Sequence, residues 1–198
     1  MEIEGPSSSS SPPSPPSSPR TTLLNPNRSR KYDVFLSFRG EDTRETFMGH
    51  LRVALIEKNI GTFIDDHQLE RGRYISPQLL QAIEDSSCSI VILSPNYASS
   101  TWCLDELVKI LDCMATRGQV VIPIFYHVDP SDVRKQTGSF GEAFARHELN
   151  LKDEMERVNG WRTALKDATS LAGLDSRNYR YYYTINILVY NYIVIRKR

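Results

Sequence analysis

The sequence contains little of what metal centres, disulfide frameworks and nucleic-acid surfaces require. It has three cysteines and four histidines in 198 residues, and their spacing matches no zinc pattern. We therefore expect reduced thiols and no metal site. Lys+Arg and Asp+Glu both number 24, so the formal net charge is zero, which argues against a specific nucleic-acid partner. A neutral chain also lacks the charge repulsion that opposes self-association.

Long apolar runs and phosphate-binding loops are missing as well. The longest apolar run, over 181–195, has about 15 residues, and a membrane-spanning helix needs roughly 17–25. Asn186 and Asn191 interrupt it, so we expect no membrane anchor, and its β-branched and aromatic residues favour an extended conformation. No glycine-rich loop of the P-loop or dinucleotide-binding kind follows a predicted strand, which argues against those nucleotide sites.

Composition divides the chain into three parts. Residues 1–29 are rich in Ser and Pro and are predicted to be disordered, because such a segment cannot bury enough apolar surface to offset ordering. Residues 30–177 carry the patterns of a folded domain, and residues 178–198 form a Tyr/Ile-rich tail of no assigned role. The Ser-rich head with its arginines is also compatible with a plastid transit peptide, although the early glutamates argue against that interpretation.

Alternating strand and helix patterns predict an α/β domain. Apolar runs typical of buried strands lie at 32–38, 60–64, 88–93 and 120–126. Ser76-Pro77 predicts a helix start, residues 129–139 are expected to be irregular before a helix from about Phe140, and a last helix is expected over 154–172. We predict a flavodoxin-like three-layer fold with a parallel sheet of about five strands, ordered 2-1-3-4-5, and helices on both faces. Pro123 indicates an edge-like or bulged position in the fourth run.

A sheet of this order binds ligands where the order reverses, outside the carboxyl ends of the first and third strands. That geometry sets the loop at 38–44 opposite the loop at 94–102. On the helix that follows, Trp102 and Glu106 are four residues apart and share one face, which we expect to point away from the core into the crevice. A carboxylate beside an aromatic ring at this place suggests catalysis. The alternative is a solvated Glu106 paired with Lys109, with Trp102 as a lid on the sheet edge.

A series of motifs then gives the chain a specific family resemblance. They are, in order, YDVFLSFRGEDTR at 32–44, FIDD at 63–66, LERG at 69–72, IVILSPNYA at 90–98, STWCLDEL at 100–107, PIFYHVDP at 123–130 and GSFGEAF at 138–144. Together with the helix that carries Trp161, they resemble the Toll/interleukin receptor (TIR) domains of plant intracellular immune receptors. The resemblance covers about Arg30 to Arg177. Receptors of that family also have nucleotide-binding and leucine-rich-repeat parts, which these 198 residues do not include.

The resemblance implies an enzyme that cleaves NAD⁺ at the nicotinamide–ribose bond, with NAD⁺ as the substrate and no cofactor. Glu106 corresponds to the catalytic glutamate of the family. The positions that correspond to substrate-binding residues are Phe38, Arg39, Gly40, Trp102, Asp65 and Asp66. The last two begin a mobile loop, 65–74, that closes over the site when family members assemble.

The resemblance also implies other TIR domains as partners and a cytoplasmic location, with the nucleus as a second expected one. His50 corresponds to the Ser-His self-association patch of the family, although Gly49 stands where the serine is expected. Gly138 and Gly141 correspond to a second interface. The alternative function is a non-catalytic scaffold that binds other TIR domains in defence signalling.

Overall fold

Five parallel strands form one sheet of order β2-β1-β3-β4-β5. The computed structural model describes residues 30–64 and 76–178, together with Met1. The strands are β1 (Tyr32–Phe38), β2 (Thr62–Ile64), β3 (Ser86–Leu93), β4 (Val120–Phe125) and β5 (Leu174–Asp175). The predicted fold class and strand order are confirmed. The predictions for the head, for the tail beyond Asn178, and for Asp65 and Asp66 concern residues outside the described part.

Seven α-helices connect and cover the strands within the described residues. They are α1 (Gly40–Thr43), α2 (Gly49–Glu57), α3 (Pro77–Glu84), α4 (Thr101–Arg117), α5 (Pro130–Lys135), α6 (Ser139–Asn150) and α7 (Met155–Ala168). A π-helical turn, Arg44–Met48, joins α1 to α2. Short 3₁₀ turns lie at Tyr97–Ser99, Lys152–Glu154 and Ser176–Asn178.

Capping residues set where the helices begin. Ser76 Oγ accepts a hydrogen bond from the Leu79 amide at 3.2 Å, and Pro77 is the first residue of α3, as the sequence predicts. Asp129 caps α5 in the same way, accepting from the Ser131 amide at 2.8 Å. The prediction of an irregular stretch up to Phe140 is therefore wrong over α5. A six-residue helix is too short to show a periodic apolar face, and only its Asp-Pro start marks it.

Two apolar layers cover the sheet, one on each face. Val91 and Leu93 of β3 pack in the layer that contains α3, α4, α6 and α7, with Trp161 fully buried in it. Ile90 and Ile92 of the same strand point into the opposite layer, which contains α2. Because both faces are covered, the second half of β3, from Ile90 to Leu93, is a continuous apolar run. This arrangement leaves the ends of the strands as the place for polar chemistry.

Pro123 lies in an internal strand but next to a gap in the hydrogen-bond ladder. β4 pairs with β3 on one side, where Pro123 is opposite Val91. On the other side β5 pairs only with Ile124 and Phe125. Gly173, the residue before β5, lies directly against Pro123. A Cβ on Gly173 would stand 2.7 Å from the Pro123 carbonyl oxygen. The predicted edge-like character thus holds on the β5 side alone, and Gly173 is required for this close approach.

Arg30 and Arg177, the first and last residues of the predicted domain, both form polar contacts with the folded domain. The Arg30 guanidinium donates to the carbonyl oxygens of Ser87 at 2.9 Å and Arg117 at 3.0 Å. Arg177 forms ion pairs with Asp129 at 2.9 Å and Asp175 at 2.7 Å. None of the helices in the described ranges is long and apolar enough to cross a membrane.

Candidate active site at the switch point of the sheet

Asp42 joins the two loops that follow β1 and β3. Its carboxylate accepts hydrogen bonds from Ser94 Oγ at 2.6 Å, from the Asn96 amide at 3.1 Å and from Asn96 Nδ2 at 3.3 Å. Burial acts to raise the pKa of Asp42. The hydrogen bonds from Ser94 and Asn96 and the charge of Arg39 outweigh that effect, so the pKa lies below its ordinary value. An ionised Asp42 therefore fixes the two walls of the crevice against each other.

Arg39 is held by two carboxylates. Its Nη1 lies 2.6 Å from Asp42 Oδ1, and its Nη2 forms a short ion pair with Glu41. A substrate phosphate at Arg39 would have to compete with these acidic groups. Gly40, the next residue, begins α1.

Phe38 contributes its backbone to the crevice. The side chain is buried in the α2 layer, and the Arg44 guanidinium lies 5.7 Å from the centre of its ring. Its carbonyl oxygen accepts a hydrogen bond from Cys103 Sγ at 3.5 Å. This bond connects the end of β1 to the first turn of α4.

Glu106 lies beneath the end of β1, in the interior of the domain. Its side chain is 1% exposed, and its Oε2 is 2.6 Å from Ser37 Oγ. The expectation that Glu106 faces away from the core is wrong, because α4 is buried against the sheet as well as along its leucine stripe. The solvated alternative is wrong for the same reason, and Lys109 instead forms ion pairs with Glu84 at 2.8 Å and Asp112 at 3.3 Å.

Ser37 and Tyr97 extend the polar group around Glu106. Ser37 Oγ is 2.9 Å from the Tyr97 hydroxyl, which in turn donates to the Cys103 carbonyl oxygen at 2.9 Å. Burial, with nearby Cys103 and Glu106, raises the pKa of Tyr97 well above its ordinary value. Our sequence reasoning missed both residues. The available signal was a serine inside an apolar buried strand, since a buried hydroxyl needs a hydrogen-bond partner.

Trp102 lies one helical turn before Glu106 and packs partly against the core. Its indole Nε1 is buried and has no acceptor among residues 30–64 and 76–178. An unsatisfied buried donor costs about 1–3 kcal/mol. An acceptor oxygen on a bound ligand would remove that cost.

Asp105 fixes α4 against α7. Its Oδ1 accepts from Trp161 Nε1 at 2.7 Å and from Arg157 Nε at 3.1 Å, and Arg157 Nη2 forms a short ion pair with Oδ2. The carboxylate next to Glu106 in the sequence thus points to another helix and has a structural role.

The predicted self-association residues lie outside this group. His50 is exposed on α2, next to the exposed Gly49. Gly138 has φ of 58°, a conformation that favours glycine. A Cβ on Gly141 would stand 2.8 Å from the Gln136 carbonyl oxygen. Backbone geometry alone therefore requires glycine at both positions.

Asp65 and Asp66 are outside the described residues. Within the described residues, no cluster of His, Cys, Asp or Glu could hold a metal.

The fold and the sequence motifs both agree with those of a known protein family. The TIR domain family matches residues 31–185, and the chain belongs to this family. It is similar to the disease resistance protein RPV1 of Vitis rotundifolia, with 56% identity over 174 residues, covering 86% of this chain and 11% of that protein. It is also similar to the TMV resistance protein N of Nicotiana glutinosa, with 56% identity over 142 residues, covering 72% of this chain and 12% of that protein. The chain is thus a TIR domain of the plant disease-resistance type, and it spans about a tenth of the length of these relatives.

A solved structure supports the same assignment. The TIR domains of the activated Roq1 resistosome, which directly recognises the pathogen effector XopQ, match with a TM-score of 0.76 and 50% identity. The match covers 81% of this chain and 98% of that one.

Proposed function

We propose that this domain hydrolyses NAD⁺ at the nicotinamide–ribose bond in the cytoplasm, as part of plant immune signalling. The observation that carries the proposal is the position of Glu106, a buried carboxyl at the switch point of a parallel sheet. Sheets of this kind bind ligands at that point. The family resemblance assigns the catalytic glutamate to the same residue.

The residue types suit this reaction. Nicotinamide leaves as a neutral base, so the reaction needs no general acid. The ribose becomes oxocarbenium-like, and a carboxylate stabilises it by its charge and by hydrogen bonds to the hydroxyls. The Trp102 ring offers a face for stacking against the base, and Arg39 offers a charge for a phosphate.

Self-association is proposed to activate the site. Glu106 is buried and Arg39 is paired with acidic groups, so substrate entry requires a rearrangement. The similar TIR domains of Roq1 were solved within an activated resistosome. We propose that other TIR domains bind to this one and stabilise a state in which the substrate reaches Glu106.

Replacement of Glu106 by glutamine tests the proposal. The amide is similar in shape and keeps a hydrogen bond to Ser37, so Glu106→Gln should fold. It removes the negative charge, and we expect NAD⁺ consumption to fall by a factor of at least about 100, the typical loss when one transition-state-stabilising group is removed. Release of nicotinamide by the concentrated 198-residue chain, with a crowding agent, measures the effect.

Asp112→Asn is the matched control, because Asp112 is a carboxylate on the same helix but is exposed. It should retain the parental rate. Equal nicotinamide release by Glu106→Gln and the parent would exclude Glu106 as the catalytic residue.

Glu106 is buried and Arg39 is paired with acidic groups. This arrangement favours a second candidate function, a non-catalytic scaffold for TIR–TIR binding. A scaffold would form oligomers without consuming NAD⁺ at any concentration. Light scattering beside the nicotinamide assay, on the same samples, separates the two functions.

A further inference from the structure

The loop between β3 and α4, residues 94–100, forms one wall of the crevice and is held by two separate groups of contacts. We call it the wall loop. From the loop after β1, Asp42 accepts hydrogen bonds from Ser94 Oγ at 2.6 Å and from the Asn96 amide at 3.1 Å. The other contacts come from α6. The wall loop leads directly into the turn of α4 that carries Trp102, so its position decides where this side of the crevice stands.

Two side chains of α6 donate to carbonyl oxygens of the wall loop. Ser139 Oγ donates to the Pro95 carbonyl oxygen at 2.5 Å, and His147 Nε2 lies 2.8 Å from the Ala98 carbonyl oxygen. A carbonyl oxygen accepts only, so His147 is the donor of the second bond. Ser139 is in the first turn of α6 and His147 is in the last turn. The helix therefore fastens the wall loop at two points.

The local structure of α6 explains why both donors reach the wall loop. Gly138, immediately before Ser139, has φ of 58°, which sets the direction in which the helix begins. His147 is 7% exposed and packs edge-on against Phe144 and Trp161, with ring centres 6.1 Å and 5.2 Å away. This packing fixes the plane of the imidazole and directs its Nε2 at the Ala98 carbonyl.

The imidazole of His147 is neutral near pH 7 and has one hydrogen to donate. Burial, with the charges of Arg146 and Arg157, lowers the pKa of His147, and the bond to Ala98 only partly opposes this. A neutral imidazole carries a single N–H, which is here on Nε2. Ala98 is buried, so its carbonyl oxygen would be left without a donor if the wall loop moved away from α6.

We propose that Ser139 and His147 are positioning residues, which anchor the wall loop to α6 so that it keeps its place when substrate enters. This role rests on the proposed function, because substrate at Glu106 gives the position of the loop its catalytic meaning. Substrate entry opens the crevice, and the bonds to α6 do not cross it. An unanchored loop would lower the fraction of molecules with a complete crevice, so KM for NAD⁺ would rise by the same factor. A complete crevice would react as before, so kcat would not change.

Two substitutions of His147 separate its hydrogen bond from its packing. His147→Phe keeps an aromatic ring between Phe144 and Trp161 but removes the donor, and His147→Gln keeps an N–H near the position of Nε2 but removes the ring. We expect His147→Phe to raise KM for NAD⁺ by about fivefold, the factor that corresponds to one hydrogen bond of typical strength, with kcat unchanged. His147→Gln should keep the parental KM. A packing role alone predicts the opposite order, and that result would overturn the proposal.

Hydrogen exchange of the 198-residue chain, followed by mass spectrometry, tests the same bonds without NAD⁺. The amides of Tyr97, Ser99 and Ser100 are bonded within the wall loop, so they exchange when the loop opens. We expect Ser139→Ala and His147→Phe each to raise their exchange rates by about fivefold. The amides of α2, in the opposite layer, should exchange at the parental rate.

Ser131→Ala is the matched control for Ser139→Ala, because Ser131 is an exposed serine on the neighbouring helix α5. It should leave exchange in the wall loop unchanged. Parental exchange rates in Ser139→Ala and His147→Phe would overturn the proposal, and so would faster exchange with an unchanged KM. A parent chain that releases no nicotinamide would contradict the proposed function, whereas the exchange rates would still decide whether α6 anchors the loop. The two proposals therefore fail separately.

Discussion

At the scale of single residues, a few side chains and one glycine determine how the crevice is built. Asp42 joins the loops after β1 and β3, and Gly141 permits α6 to approach the end of α5. Neither role is visible in the sequence, because each depends on a contact with a residue that is distant in the chain or on a backbone atom.

Asp42→Asn should make stability less sensitive to acid. The pKa of Asp42 is below its ordinary value, so its carboxylate contributes stability above about pH 4, and this is lost as pH falls through the folded value. We expect the variant to be less stable by about 1–3 kcal/mol at pH 7. The difference should decrease as the pH is lowered below 4. Urea midpoints of both proteins across this range measure it, and a constant difference would contradict the assignment.

Gly141→Ala and Gly160→Ala should change stability in opposite directions. A Cβ at 141 would stand 2.8 Å from a backbone oxygen, so α6 must shift, at a cost of about 1–3 kcal/mol. Gly160 lies inside α7 with nothing within 4 Å of its Cβ position, and alanine there should stabilise by about 0.5–1 kcal/mol. Thermal unfolding compares the pair. Equal effects would mean that α6 adjusts without cost.

At the scale of elements, α4 connects the site to the rest of the domain. It carries Glu106 on its sheet side and Asp105 toward α7. It begins at the Ser100 cap and ends at Gly118, which has φ of 63°. Two adjacent carboxylates on one helix therefore have unrelated roles, one in the site and one in helix packing.

Asp105→Ala should destabilise the domain by about 2–3 kcal/mol, because it leaves the indole N–H of the fully buried Trp161 without its acceptor. Asp112→Ala, on the exposed side of the same helix, should change stability by less than about 0.5 kcal/mol. Chemical denaturation measures both. Similar losses for the two variants would show that the link between α4 and α7 contributes little.

The strands were predictable from the sequence to a greater extent than the site. Apolar runs and the Ser76-Pro77 start locate β1, β3, β4 and α3, because burial on both faces and helix capping act through neighbouring residues. β5 has two residues and α5 has six, too few for a periodic pattern. The position of Glu106 at the switch point was also predictable. Its burial was not, because helical periodicity locates the leucine stripe and does not show that a second side of α4 packs on the sheet.

At the scale of the whole molecule, assembly is proposed to control activity. The chain has no net charge to oppose association, and His50 is exposed on α2. The preceding Gly49 has room for a side chain, since its Cβ would make an ordinary contact of 3.5 Å with the Arg44 carbonyl oxygen. The surface around α2 can therefore be altered without disturbing the crevice.

His50→Glu should lower NAD⁺ turnover at a given protein concentration, and Gly49→Ser, which restores the Ser-His pair, should raise it. Assembly increases the fraction of molecules in the competent state, so specific activity should rise with concentration in the parent. A dilution series with sedimentation on the same samples measures both quantities. Specific activity that is unchanged by dilution and by the two substitutions would indicate an active monomer.

Cys103 gives the domain a built-in chemical reporter. Its thiol donates to the Phe38 carbonyl beside the Ser37–Glu106 contact, and burial raises its pKa. Alkylating reagents react with thiolates, so modification of Cys103 requires the first turn of α4 to separate from β1 and the thiol to lose its proton. The rate at which Cys103 is alkylated therefore reports how often the first turn of α4 separates from β1. Mass spectrometry can measure this rate in the protein without any substitution.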